Sequence, residues 1–593
     1  MPTRPRSFVH ALPVLLLMAI APCAARSAPD PELAKLCDEY WQGMMRANPT
    51  YATSIGDRRF DDQLPDITPA GIERDRKRME DELARARAFD PAKLDGVDRL
   101  NRSALVEALE GHLANISCHF EDWVVDPLGG PQVEFFNLGD YTVVETPEDA
   151  RKFVLRCRAM GWYMDDHVAN LRSGLKRGRT AARDAVEKVA QQLDALLALP
   201  VSEWALMAPA KGELKGWTSA QREKFRSDLD SALGGFLKPG LSRYRDAIRK
   251  EFLPAARPAE KAGLVNLPGG IECYRKRIRE ETSLDLSPEE LHAIGLAQVR
   301  AIREELTELG QKVMDTPQVE LIQHRLRDDP AMQFRTAAEV EAAARDALSR
   351  AKAAIPKWFG ILPKADCEVK VMGMHEAPQS TIAYYRNPTK DGSRPGYYML
   401  NTYKPETRPR YEAQALAFHE AIPGHHLQIA IAMELKGLPE FRKYEGVTAF
   451  VEGWALYTER LADEMGLYSS DLDRIGMLSY DAWRACRLVV DTGLHAKGWS
   501  RQQAIDFMMQ NTVLAENNIV NEVDRYITWP GQALAYKCGQ IEIMKLRDEG
   551  MRRLGPRFDI KEFHDVVLRN GALALPVLRE QVEAYYAERE RAK

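Results

Sequence analysis

Along most of the chain apolar residues recur at spacings of three and four among Arg and Glu neighbours, the period of helices with one buried face. Three helix starts stand out. Thr68-Pro69, Thr146-Pro147-Glu148-Asp149 before Ala150 to Met160, and Ser287-Pro288-Glu289-Glu290 before Leu291 to Leu309 each set a hydroxyl N-cap before Pro at the first helical position, with early acids. The period changes to two between Cys367 and Asn401. There Val369 and Val371 alternate, Ile382-Ala383-Tyr384-Tyr385 and Gly396-Tyr397-Tyr398-Met399-Leu400 form short apolar runs, and turn residues cluster at Asn387-Pro388 and Gly392-Ser393. This pattern predicts a mainly α protein with a small antiparallel β-sheet of three or four strands at about 366–402. No internal repeat or Gly/Ser linker occurs, so a helical region 28–270 and a catalytic region 271–593, meeting at Pro268-Gly269-Gly270, are a soft division.

Residues 1–27 fall outside that fold. Arg4 and Arg6 precede the apolar run Ala11 to Ala21 and the small residues Ala24, Ala25, Ser27 and Ala28, the pattern of a secretory signal. The run is too short to span a bilayer as a mature helix. Periplasmic or secreted export is therefore expected. A membrane-anchored lipoprotein acylated at Cys23 is the alternative, set back by Pro22 where a small residue is wanted.

With 593 residues, 45% hydrophobic and 28% charged, the chain can bury a large core. Its net charge of −5 is spread out, with no basic block beyond Lys176-Arg177-Gly178-Arg179. Neither a nucleic acid nor an anionic membrane surface is called for. After Cys23 the cysteines at 37, 118, 157, 273, 367, 486 and 538 contain no Cys-x-x-Cys pair, so single buried thiols are expected, with room for one or two disulfides. The oligomeric state is open.

The chemistry is concentrated in His419-Glu420-Ala421-Ile422-Pro423-Gly424-His425-His426 and, downstream, Val451-Glu452-Gly453-Trp454-Ala455-Leu456-Tyr457-Thr458-Glu459. Two imidazoles and a carboxylate can hold zinc while a spare carboxylate activates water. The common His-Glu-x-x-His spacing would put His at 423, where Pro stands. On an unbroken helix His425 would lie about 120° off the face of His419, and His426 about 10.5 Å along the axis. Pro423 clashes with the carbonyl of His419 and removes a donor, so the helix must kink or bulge there, with Gly424 tolerating the geometry. Two looped-out residues bring His425 beside His419 as second ligand and leave His426 to a supporting or substrate-facing place. Glu452 and Glu459, seven apart, share a helix face two turns apart, so one can touch the metal while the other orients a histidine.

The strings HEAIPGHHLQ and VEGWALYTE resemble the family called domain of unknown function 885, from about Glu32 to the C-terminus, whose members are placed among zincin-like metallopeptidases. The second string is also similar to the Asn-Glu-Gly-Phe-Ala-x-Tyr-x-Glu segment of zinc aminopeptidases with a Glu as third ligand. The match implies Glu452 as that ligand, a gluzincin arrangement, and a helical fold with a deep central cleft. Related zinc peptidases bring a Tyr or His from a late helix to the developing oxyanion, which here nominates Tyr526 or Tyr536. Either tyrosine can equally be an aromatic packing residue.

Other candidates are weaker. His375-Glu376 lies in the strand region without a second His nearby. Arg487, Asp491 and His495 share a helix face as an ion-pair ladder or a pocket wall. Arg525 or Lys537 could bind a substrate carboxylate. Ser173-Gly174-Leu175-Lys176 fits Ser-x-x-Lys by chance, without companion motifs, and neither a Gly-x-Ser-x-Gly elbow nor a phosphate or dinucleotide loop occurs.

The expected activity is zinc-dependent hydrolysis of peptide bonds in short or unfolded peptides, with Zn2+ held by His419, His425 and Glu452 and Glu420 as general base. An amidase on a modified amide would use the same residues. A non-catalytic binding protein of zincin fold would have no use for Glu420.

Overall fold

The computed structural model describes residues 30–591 of the chain, apart from 374–376, 378–380, 390–391 and 393. The signal segment, Cys23 and the His375-Glu376 pair lie outside the described residues. Helices dominate, and the three start signals work as expected. Thr68 accepts from the Gly71 amide, while Thr146 with Asp149 and Ser287 with Glu290 form reciprocal caps. The latter two helices are longer than the sequence suggested, Pro147–Lys176 and Pro288–Met314.

The Pro147–Lys176 helix packs with Ser219–Ala232 and Lys238–Ala247 around Phe153, Met160, Leu229 and Leu241. The first helix, Pro31–Ala47, reaches the C-terminal half: Leu33, Tyr40 and Met45 share a core with Phe441, and the Tyr40 hydroxyl donates to Glu445 at 2.7 Å. Further links across residue 270 are the Cys118–Cys273 disulfide, Arg442 donating to Asn101 at 2.8 Å, and Arg277 bonded to Asn115.

Cys37, Cys157, Cys367, Cys486 and Cys538 are free and buried. Burial pushes the thiols of Cys37, Cys367 and Cys538 up to about 12, and those of Cys157 and Cys486 further.

Two helix contacts position the candidate site. The Asp471–His495 helix is buried continuously from Ile475 to His495 and runs along Pro288–Met314. The Thr448–Glu464 helix crosses Ala535–Leu554 at Gly453 and Gly539. A Cβ at Gly539 would collide with the Ala449 carbonyl, and one at Gly453 with the Gly539 backbone, so only these glycines allow the approach.

Strands β1 (Cys367–Val371), β2 (Ala383–Arg386) and β3 (Gly396–Leu400) form one sheet in the order β1-β3-β2. The expectation of an antiparallel sheet is corrected in part. β2 runs antiparallel to β3, with Tyr384 opposite Met399, but β1 runs parallel to β3, with Val369 opposite Tyr398. Alternation of side chains encodes which face is buried, not the direction of the partner strand. Among the described residues β2 is an outer strand with one unpaired edge, and no described helix is long and apolar enough to cross a membrane.

Candidate metal centre

The metal motif is two helices rather than one kinked helix. Ala413–Glu420 ends with His419 and Glu420 in its last turn, and His425–Glu434 begins after four non-helical residues that include a cis Ile422-Pro423 bond. The Ala421 amide makes the last regular bond, to Ala417 O at 2.9 Å, and the His426 amide reaches back to Ala421 O at 3.0 Å. Gly424 passes so close to the Phe418 and His419 carbonyls that a Cβ there would overlap both. The neighbouring Thr448–Glu464 helix fastens both sides of the break: Trp454 donates its indole N–H to Pro423 O at 3.0 Å, and Thr458 its hydroxyl to Phe418 O at 3.3 Å.

The interruption turns His425 back toward His419. Their rings are 4.8 Å apart and nearly perpendicular. Glu452 meets both, with its Oε2 3.4 Å from His425 Nε2 and 3.7 Å from His419 Nε2. One ligand atom from each of the three side chains lies within 4.8 Å of the others. Ligands about 2.0 to 2.1 Å from a tetrahedral metal stand roughly 3.4 Å apart, so the two measured edges suit a zinc-sized ion. Glu452 Oε2 is buried and has no hydrogen-bond donor in the protein. A buried carboxylate oxygen facing two imidazole nitrogens fits a divalent cation.

Glu459 completes the arrangement from the next two turns of the same helix. It is fully buried, with Oε1 2.7 Å from His419 Nδ1, so the other ring nitrogen is the one turned to Glu452. Burial works against a charge on His419, but Glu452 and Glu459 outweigh it and raise its pKa to about 9. Burial opposes ionisation of Glu452 as well, and His425 and His419 reverse this, holding it well below the usual carboxylate range. The site thus favours a cation among its three groups.

Glu420, next to His419, is half-buried at the helix end. Burial first, and the Glu420 charge second, raise the hydroxyl of Tyr398 on β3 well above its ordinary value. His426 points away from the cluster: Tyr385 of β2 bonds its Nδ1 at 2.9 Å and Ala365 O faces its Nε2 at 3.1 Å.

The two tyrosine candidates separate. Tyr536 is half-buried and its ring lies nearly parallel to His419, centroids 6.4 Å apart. Tyr526 is fully buried and its hydroxyl is occupied by Trp483 at 3.0 Å, Arg487 at 2.9 Å and Glu522 at 2.8 Å. These three partners engage the hydroxyl within the protein.

Lys537 is likewise withdrawn from any ligand, because its ammonium is buried against Asp481 and Gln540. Arg487, Asp491 and His495 form no ladder. Asp491 accepts from the Tyr274 hydroxyl, and His495 sits between the Leu264 amide and Tyr526 O.

Sequence reasoning missed Arg484, whose Nη2 is 4.0 Å from Glu459 Oε1, and the Trp454 bond that holds the helix break. A charged residue every third position in an otherwise apolar helix, Arg484 and Arg487, was the available signal for the first. Nothing in the string foretold the second.

Two solved structures share this architecture. A candidate lipoprotein from Colwellia psychrerythraea is 25% identical, covering 94% of this chain and 99% of its own, with a TM-score of 0.89. A candidate lipoprotein of unknown function from Shewanella oneidensis is 18% identical, covering 92% and 99%, with a TM-score of 0.70, and shows the fold alone. No curated protein matches the sequence. The family model described as bacterial protein of unknown function, DUF885, matches residues 49–582, and the chain belongs to that family.

Proposed function

We propose that the protein is a zinc-dependent peptidase acting on short or unfolded peptides. The observation that carries this reading is Glu452 Oε2, buried without a donor and facing Nε2 of both His419 and His425, with the Glu420 carboxylate left over beside them. A metal site kept only for structure is normally closed by four protein ligands and needs no such spare carboxylate.

His419, His425 and Glu452 would hold the zinc, which when bound supplies Lewis acidity for a scissile carbonyl and for water. Glu420 accepts the proton of the attacking water and delivers it to the leaving amine. Glu459 fixes the tautomer and ring plane of His419. Tyr536, beside His419, supplies the hydroxyl for the oxyanion. β2, an outer strand of the sheet among the described residues, could hold an extended main chain, and a cleft between this sheet and the Ala535–Leu554 helix would favour short or unfolded chains over compact proteins. The export signal in the sequence, and the lipoprotein descriptions of the two structural relatives, support work outside the cytoplasm, freely exported or anchored through Cys23.

Metal analysis of the purified chain, combined with a peptide-library digest followed by mass spectrometry, tests the reading. Stoichiometric zinc with cleavage that stops on chelation is the expected result. Zinc without cleavage of any peptide would leave a binding protein, and absence of metal would remove the proposal.

A further inference from the structure

Beside the candidate metal centre, two guanidinium groups, that of Arg487 buried and that of Arg525 half-buried, share a single carboxylate. Arg487 is 3% exposed, with Nε donating to the Tyr526 hydroxyl at 2.9 Å and Nη2 to Glu522 Oε2 at 3.0 Å. Arg525 uses the same carboxylate, Nη2 to Oε2 at 2.8 Å and Nε to Oε1 at 3.3 Å, and places Nη1 on Gln532 at 2.7 Å. Tyr526 also donates to Glu522. One carboxylate thus answers two cations, and a positive charge remains without a counterion.

The excess is localised. Arg487 Nη1 is buried and has no hydrogen-bond partner, and Nε of Arg484, three residues earlier on the same helix, is in the same state. Trp483 and Tyr536 flank the Arg487 guanidinium, each ring centroid 4.4 Å from Cζ. Aromatic faces ease the burial of a cation but do not satisfy an in-plane N–H. A buried, unpaired guanidinium donor is costly unless an anion completes it.

This charge is close to the metal cluster, and its route to solvent runs through partly exposed neighbours rather than through Arg487 itself. The side chains of Arg525 and Glu522 are 13% and 17% exposed, and Tyr536 is half-buried. The Tyr536 ring is near both Arg487 and His419, and its separations of 4.4 Å and 6.4 Å bound the distance from the His419 ring to the guanidinium at about 11 Å, three extended residues at most.

We propose that Arg487, supported by Arg525, is the receptor for the free C-terminal carboxylate of the peptide, so that cleavage falls within about three residues of the C-terminus. This rests on the peptidase reading of the metal centre. A planar carboxylate matches the fork of a guanidinium and supplies the missing counterion. Arg487 here binds substrate and takes no part in proton transfer.

The test is calorimetric titration of the full-length Glu420→Gln protein, which binds without turnover, with a set of N-acetyl-Ala-Xaa dipeptides prepared both as free acids and as C-terminal carboxamides. The free acids should bind at least about tenfold more tightly than the matching amides, and Arg487→Gln should bring the ratio close to one. Equal binding of acids and amides, no binding of any free acid, or an acid preference undiminished in Arg487→Gln would each overturn the proposal. Should Arg487→Gln fail to fold, Arg525→Gln is the second variant, expected to reduce the same ratio, and the comparison in the parent protein is decisive without either. Acid preference without peptide cleavage by the wild-type chain would remove the peptidase reading and keep the receptor. Cleavage without acid preference would do the reverse.

Discussion

Glu459 Oε1 lies 2.7 Å from Nδ1 of His419, a buried contact that orients the ring whose other nitrogen faces Glu452. Replacing Glu459 with Gln leaves the three metal-facing groups in place but removes the anionic partner. Zinc affinity should fall about 10- to 100-fold, measured by competition with a chromogenic chelator. Unchanged affinity would mean that the Glu459 contact only packs the helix.

Glu420→Gln should retain zinc and the melting temperature of the parent, since the amide is nearly the same shape and Glu420 stands outside the ligand set. Hydrolysis should drop by about two orders of magnitude or more. Activity near the parent level would exclude Glu420 as the base.

His425→Ala and His426→Ala separate adjacent histidines. The first should lose most of its zinc, because His425 Nε2 faces Glu452. The second should keep zinc but melt earlier, by an amount equivalent to about 1 to 3 kcal/mol, because it leaves Tyr385 and Ala365 O without their buried partner. Metal content by mass spectrometry and thermal unfolding read both outcomes. Loss of zinc in the second variant alone would transfer the ligand role to His426.

Asp491 should make stability depend on pH. It is fully buried, and burial lifts its pKa from 3.8 to about 7 against the opposing bonds from Tyr274 and Gly531. The folded chain therefore holds this proton where the unfolded chain has released it. Its contribution is complete below about pH 3.9, is lost as pH rises through 7, and is constant above. Asp491→Asn retains an acceptor for Tyr274 and removes the titration. The parent-to-variant difference in urea stability should shift in favour of the variant by a few kcal/mol, on the order of the full effect, between pH 4 and about 8. A difference independent of pH would assign the trend to other groups.

The local parts of this fold were open to sequence reasoning because they depend on neighbours in the chain. The N-caps at Thr146 and Ser287 are complete within four residues. Pro423 implied an interruption because its steric conflict is with His419, four residues back. The same reasoning placed His425 rather than His426 beside His419. Pairings across long separations were not legible. The parallel β1–β3 register depends on how the intervening chain returns, Cys118 and Cys273 are 155 residues apart, and the partners that occupy the Tyr526 hydroxyl, Trp483 and Arg487, come from another helix. The resemblance to zinc peptidases nominated Tyr526 and Tyr536 alike, although burial separates them.

Among the described residues, the one disulfide and the five buried thiols have a consequence for how this chain ages. In the native state the thiols stay protonated and shielded from alkylating reagents, although Cys538 packs in the same apolar cluster as the Cys118–Cys273 bridge. The fold acts as its own protecting group. Once the chain opens in a mildly alkaline, oxidising medium, these five thiols and the two bridged sulfurs are exposed together and can exchange partners. Where that exchange outpaces refolding, damage by heat is a one-way event whose clock is the unfolding rate, and an added reductant changes whether the chain comes back more than when it leaves.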